Sequence, residues 1–210
     1  MTNITKLVRE YISTHPHVKE CLKKDIINFS SLARTIASEL DIDEKKNFDA
    51  ILVAARRCKD KIQGGISEDE IIKILKRSKV EIKNRISVVV MEKNVRLSNI
   101  IDLEKEAKRL SEVFRIIEGS NAITVITVDD LIPGLKKVSK NFIMRETSGL
   151  AEITIKSPKE IEVMPGIVAY LYSLFGENGI NILETVSCWT DTILIIKEEE
   201  ISKVIALLKF

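Results

Sequence analysis

The chain of 210 residues has a net charge of +2, with 45% hydrophobic and 30% charged residues. That balance is typical of a globular protein of one to three domains and excludes a disordered or collagen-like chain. No apolar run approaches the roughly 20 residues that cross a bilayer, and the polar N-terminus predicts a helix start, not a signal peptide. The three cysteines are odd in number and widely spaced. They predict no disulfide framework and favour a reducing cytoplasm.

The first 79 residues predict a helical domain. Apolar residues at helical spacing indicate helices over residues 29–40 and 47–62, the second with Asn47 as its N-cap. We interpret this pair as a helix-turn-helix or winged-helix module, in which the first helix supports and the second recognises. Strands near residues 80–91 would then serve partly as a wing.

Three basic side chains on the 47–62 helix point away from its apolar stripe and predict contact with DNA: Arg56, Arg57 and Lys61. Asp49 and Asp60 share that face and would repel DNA, so a solvated surface or a contact with an enzyme stays open as the alternative. Residues 1–84 hold 17 basic and 13 acidic side chains, and the rest of the chain has a net charge of −2. This asymmetry permits a nucleic-acid-facing N-terminal half without requiring one.

From residue 80 the pattern changes to strands and helices in the order β-α-β-β-α, which occurs twice, over residues 80–148 and 149–210. Residues 142–146 and 150–156 are predicted as separate strands, one ending the first copy and one opening the second. The order is that of the ferredoxin-like arrangement, an antiparallel sheet covered on one face by two helices. The second copy lacks a clear final strand, so that strand must come from elsewhere in the chain or from a partner subunit, or the edge stays open.

The predicted fold class is therefore α+β. A helical, winged-helix-like domain (residues 1–79) precedes two ferredoxin-like βαββα(β) modules. Because the second sheet is unfinished, a homodimer is the expected assembly.

A proline–glycine pair opens the first helix of the second copy. Pro165 suits a first helical turn, where its missing N–H costs nothing. Gly166 lets the backbone approach a ligand, and free N–H groups at that helix start can hold a carboxylate. Gly179, thirteen residues after Gly166, predicts a left-handed end to the helix.

The segments 164–168 and 175–182 resemble the ACT domains of amino-acid metabolism, particularly those of aspartokinases. The resemblance implies a regulatory domain that binds a small effector, often an amino acid, between the loop before the first helix and a neighbouring module. It also implies a polar contact from Asn181. The residues assigned to the ligand are Met164, Pro165, Gly166, Ile167, Val168, Asn178, Gly179 and Asn181. The equivalent loop of the first copy, residues 93–97, has no proline–glycine pair and fits less well.

No group of residues predicts catalysis, a metal site or a cofactor. His15, His17 and Cys21 are close in sequence, but a zinc site needs four ligands and no second pair stands nearby. An aspartokinase needs a kinase domain that this length cannot hold. We therefore expect a cytoplasmic regulatory protein, not an enzyme, that binds an amino acid through its ACT modules and controls transcription through its N-terminal domain. The alternative is a regulatory subunit that docks on a biosynthetic enzyme without binding DNA.

Overall fold

The computed structural model of the chain describes residues 3–62, 68–95 and 97–209. The chain divides into two compact units, Met1–Gly65 and Ile66–Phe210. The first unit is helical and the second combines helices with an antiparallel sheet, which confirms the mixed α+β class. Within the described ranges, no helix is both long and apolar enough to span a bilayer.

The helices of the first unit are α1 (Ile4–Thr14), α2 (Pro16–Lys23), α3 (Phe29–Glu39) and α4 (Glu44–Lys61). The second unit comprises α5 (Glu68–Lys76), β1 (Lys79–Glu92), α6 (Leu97–Arg109), β2 (Phe114–Glu118), β3 (Ala122–Val128), α7 (Ile132–Ser139), β4 (Ile143–Lys156), α8 (Ile167–Glu177), β5 (Glu184–Cys188), β6 (Asp191–Lys197) and α9 (Ile201–Leu207).

The first unit is built around apolar faces of α1, α3 and α4, which share one buried cluster with residues such as Val8, Ile36 and Ile51. The prediction that α4 starts after Asn47 is wrong. Asp43 caps it instead, because its carboxylate accepts a hydrogen bond from the backbone N–H of Lys46 at 3.4 Å. Residues 40–43 separate α3 from α4.

The described strands of the second unit form one antiparallel sheet in the order β2-β3-β1-β4-β6-β5. β1 and β4 each have 14 residues and pair with each other along most of their length. The prediction of two separate strands over residues 142–146 and 150–156 is wrong, because β4 runs through both. Gly149, at φ +72°, and Arg85 on β1, at φ +56°, lie where the register between the two strands shifts.

The first half of β1 provides the strand that the second copy lacked. Residues 79–83 pair with residues 152–156 of β4, whose other side pairs with β6. The missing strand thus comes from the chain itself, and the argument for a dimer from an unfinished sheet disappears. The expectation of a wing at residues 80–91 is also wrong, because β1 lies in the middle of the sheet with neighbours on both sides.

Helix α5 belongs to the second unit. Its apolar side chains Ile71, Ile74 and Leu75 are buried in the cluster that α8 and α9 form over β4 and β6. The predicted domain of residues 1–79 includes this helix. A helix shows its partner only through the apolar face that it buries, so pattern alone could not assign it.

The sheet is curved, and residues on the face opposite α5, α8 and α9 pack against one another. A third buried cluster joins Ile126 of β3, Leu150 of β4 and Ile195 of β6 with apolar residues near both sheet edges. On this face Arg115 of β2 donates two hydrogen bonds of 2.8 Å to the carboxylate of Glu152 on β4. Glu152 is 3% exposed, and the hydrogen bond from Arg115 to this carboxylate raises the pKa of the guanidinium despite its partial burial. The pair thus ties the two modules together.

Arg115→Met is expected to destabilise the second unit by about 3–5 kcal/mol, because it leaves the Glu152 carboxylate buried without its cation. The double variant Arg115→Met/Glu152→Leu is expected to recover most of that loss, since it removes both charges. Urea unfolding followed by the fluorescence of Trp189, the single tryptophan, measures both variants. A single variant as stable as the wild type would contradict this role of the pair.

Candidate functional site

The loop between β4 and α8 is anchored at several points. The backbone N–H of Ser157 donates to the carbonyl of Thr190 at 2.9 Å, and Ser78 donates from its hydroxyl to that of Ser157 at 2.9 Å. Arg77 forms an ion pair with Glu160 at 3.0 Å. Hydrogen bonds from its own backbone and from Arg77 hold the pKa of the Glu160 carboxyl below its ordinary value. These contacts attach the loop to the segment that follows α5.

Gly166 is the N-cap of α8 and has φ +97°, a conformation that L side chains rarely adopt. The helix starts at Ile167, so Pro165 precedes it. The prediction that Pro165 lies in the first turn is wrong. Ile167 is buried against the sheet, whereas Pro165 and Gly166 are exposed and Val168 is 39% exposed. A glycine start with exposed neighbours leaves the first N–H groups of α8 accessible to a ligand.

The other end of α8 is a Schellman cap. The N–H groups of Gly179 and Ile180 donate to the carbonyls of Gly176 and Phe175, both at 2.9 Å, and Gly179 has φ +70°. The side-chain amide of Asn178 donates to the carbonyl of Leu174 at 2.8 Å. Asn178 and Gly179 therefore have a capping role in the fold, and their contact with a ligand stays a prediction.

Met164–Val168 and Asn181 lie at opposite ends of α8. The helix has 11 residues, which corresponds to a length of about 16 Å. Asn181 is exposed, beside an open groove of about 440 Å³ between α8 and β5 that Tyr172, Ile182 and Thr185 help to line. One small molecule cannot contact both ends within a single module, so the two halves of the predicted site do not meet there.

The three basic residues predicted to contact DNA are exposed on α4 but have different surroundings. The Arg56 guanidinium lies 5.8 Å from the ring centroid of Phe29, at the start of α3. Lys61 lines a cavity shared with α1 and α2. Arg57 and Lys61, four residues apart, lie on the same face of α4, whereas Arg56 lies beside α3.

Two contacts of the predicted site residues have no signal in the sequence, one at Gly166 and one at Lys61. Ile71 of α5 approaches Gly166, and its Cδ1 atom would lie 3.4 Å from a Cβ built there. Arg9 and Lys19, from α1 and α2, lie with Lys61 around the same cavity. Neither feature has a local sequence signal, because each depends on packing between distant helices.

His15, His17 and Cys21, which are close in sequence, belong to no metal centre in the ranges of the chain that the structure describes. In those ranges, no group of three or more His, Cys, Asp or Glu side chains could hold an ion. His15 stacks on Tyr11 at 3.9 Å between ring centroids, and its Nδ1 atom lies 2.7 Å from the Tyr11 carbonyl. His15 therefore helps to close the end of α1.

Residues 146–209 match the family model of the ACT domain. The match begins within β4 and ends after α9. It confirms the resemblance of the second copy, and it includes the loop 164–168 and both ends of α8. No curated protein matches the chain.

Solved structures with a similar arrangement include the aspartate kinase of Clostridium acetobutylicum, described as an allosteric enzyme, with 12% identity and a TM-score of 0.48. The alignment covers 61% of this chain and 33% of that kinase, so the chain spans about a third of the kinase's length. The regulatory subunits of aspartate kinase from Thermus thermophilus and Thermus flavus each show 12% identity over 61% of this chain. Those alignments cover 92% and 94% of the subunits, with TM-scores of 0.47 and 0.48.

Two glycines of this region are expected to respond oppositely to alanine. Gly166→Ala should destabilise the second unit by about 1–2 kcal/mol, because the side chain must adopt a left-handed conformation. Gly176→Ala should stabilise it by about 0.5–1 kcal/mol, because Gly176 lies within α8 and a Cβ there meets nothing within 4 Å. Urea unfolding of both variants tests the pair, and a destabilised Gly176→Ala chain would contradict this description of α8.

Proposed function

We propose that the chain is a regulatory protein that binds an amino acid through its ACT modules and controls transcription through its N-terminal helices. The observation that carries the first part is the ACT domain at residues 146–209, whose first helix begins at an exposed glycine in a left-handed conformation. The match is to a regulatory domain, which supports a binding role in preference to catalysis.

An amino acid suits the start of α8. Its carboxylate would accept hydrogen bonds from the free N–H groups that follow Gly166, where the helix dipole also favours negative charge. The exposed side chain of Val168 and the partly buried Met164 offer apolar contact for the amino acid's side chain. The proposed ligand residues are therefore Met164, Pro165, Gly166, Ile167 and Val168.

The contribution of Asn181 requires a second module. Because it lies at the far end of α8, its side chain would contact an effector held at the Gly166 loop of another ACT module. No hydrogen bond of the Asn181 side chain occurs within the described residues, so its amide is free for this contact. We therefore include a homodimer in the proposal, with Asn178, Gly179 and Asn181 of one subunit near the 164–168 loop of the other.

Helix α5 would transmit the effect of the ligand. It contacts the loop through Ile71, and the residues after it hold the loop through Arg77 and Ser78. In the sequence, α5 follows directly on the N-terminal unit. Regulation requires that the effector bind two arrangements of the chain with different affinity, and a loop packed on α5 gives the ligand a means to favour one of them.

Transcriptional control would use α3 and α4 as a helix-turn-helix pair, with Arg56, Arg57 and Lys61 near the DNA. Asp49 and Asp60 are exposed on the same helix and favour the second candidate, in which the N-terminal unit docks on a biosynthetic enzyme. Acidic side chains weaken attraction to phosphates but are compatible with a protein surface.

An amino acid is expected to raise the melting temperature of the second unit. At a hundred times its dissociation constant, the shift should be about 5–10 °C for a unit of this size. A thermal-shift screen of the common amino acids measures it, and sedimentation velocity on the same samples should show a dimer. Gly166→Val should abolish the shift.

The matched control is Gly119→Ala, a glycine substitution in the turn between β2 and β3, which should keep the shift. If no amino acid raises the melting temperature of the wild-type chain, the effector part of the proposal is wrong. An equal shift in the Gly166→Val chain would place the ligand elsewhere.

Binding of the full chain to genomic DNA fragments is expected to weaken steeply as salt rises, because cationic side chains release counterions from the phosphates. Arg56→Gln/Arg57→Gln should weaken binding and reduce the slope of log K against log salt by about 1–2. Lys45→Gln on the same helix, which removes one charge outside the predicted set, is the control. Gel shifts over a salt series measure all three chains. Co-purification with an enzyme and no salt-dependent shift would favour the second candidate.

A further inference from the structure

The N-terminal unit contains a cavity of about 240 Å³ that the ACT domain does not explain. It lies between α1, α2 and α4, each of which contributes one basic side chain: Arg9, Lys19 and Lys61. None of the described residues that line it is acidic. The cavity therefore has a positive rim.

The charges of this rim are not neutralised by ion pairs. Within the described ranges, Arg9, Lys19 and Lys61 have no carboxylate within 4.0 Å, and the acidic residues next to two of them are engaged elsewhere. Glu10 pairs with Lys6 at 3.7 Å, and Glu20 pairs with Lys23 at 3.6 Å. A site with several unpaired cations attracts an anion.

The floor of the cavity is apolar. Ile12 is 3% exposed and Cys58 is 8% exposed, and Ile62 completes the lining beside them. Burial raises the pKa of the Cys58 thiol, although Arg9 and Lys61 oppose the shift. The thiol is therefore neutral at pH 7 and behaves as a small apolar side chain.

We propose that this cavity binds a small aliphatic monocarboxylate that carries no ammonium group. Its carboxylate would bind Arg9, Lys19 and Lys61, with the planar guanidinium suited to a bidentate contact. Its hydrocarbon part would cover Ile12, Cys58 and Ile62. The cavity is smaller than the range of about 300–1,000 Å³ that is typical of sites for drug-sized ligands, so the hydrocarbon part of the ligand must be a short chain.

The charges distinguish this ligand from the amino acid proposed for the ACT domain. An α-ammonium group would lie among three cations, and none of the described lining residues is an acidic partner for it, so its repulsion opposes binding. A phosphate group would satisfy the cations but leave the apolar floor uncovered. The inference therefore does not depend on the proposed effector site, and either can fail without the other.

The test uses the full chain with Cys21→Ser and Cys188→Ser, so that Cys58 is the only thiol. Alkylation of Cys58 by neutral iodoacetamide is followed by mass spectrometry. At ten times its dissociation constant, valerate is expected to slow alkylation about tenfold, because the bound ligand would cover the side of Cys58 that lines the cavity. Valeramide, which has the same shape without charge, and norvaline, which adds the ammonium group, are expected to leave the rate unchanged.

Arg9→Gln/Lys61→Gln in this background should abolish protection by valerate, and Lys45→Gln should retain it; circular dichroism checks that each chain is folded. The comparison of ligands on the parent chain stands even if the double variant is unfolded.

No protection by valerate, equal protection by valeramide, or equal protection by norvaline would overturn the proposal. Equal protection by inorganic phosphate would also overturn it, and would indicate a phosphate site of the kind that contacts nucleic acid.

Discussion

The antiparallel pairing of β1 with β4 is the constraint on which the second unit depends. Each strand is long enough to serve two modules. The second half of β1 pairs with β3, and the second half of β4 pairs with β6. The register shifts near Arg85 and Gly149 separate the halves without ending either strand. Neither module is complete without the other, because each takes its fourth strand from the long strand that opens its neighbour.

The two faces of the sheet are covered in different ways. Helices α5, α8 and α9 cover one half of one face, and α6 and α7 cover the other half. Among the described residues of the second unit, the buried cluster on the opposite face consists of residues of the strands and of the segments beside them, together with the pair of Arg115 with Glu152. A buried ion pair adds little net stability, but it disfavours arrangements that separate its partners. Arg115 and Glu152 join β2 to β4 across this face of the sheet.

The candidate effector site depends on the same architecture. β4 leads directly into the anchored loop, Gly166 precedes the first residue of α8, and Ile71 of α5 lies against Gly166. In the proposal, α5 transmits the effect of the ligand, because it contacts the loop and follows the N-terminal helices in the sequence. The cavity around Cys58 belongs to the first unit, and its cations come from α1, α2 and α4. The chain would then respond to two kinds of carboxylate, distinguished by the ammonium group.

The sequence by itself determined the order and type of most elements, because periods of 3.6 and 2 residues reflect which face each element buries. It also determined the ACT resemblance of the last third, which depends on Gly166 and Gly179. Both glycines have a positive φ in the structure, and α8 lies between them. Only the tertiary structure decided that β4 is continuous, that β1 completes the second module, and that α5 belongs to the sheet. It alone brought Arg115 to Glu152 and Arg9 to Lys61. The physical reason is that strand pairing and side-chain contacts between distant segments depend on how the chain closes in space, whereas periodicity and turn chemistry are local.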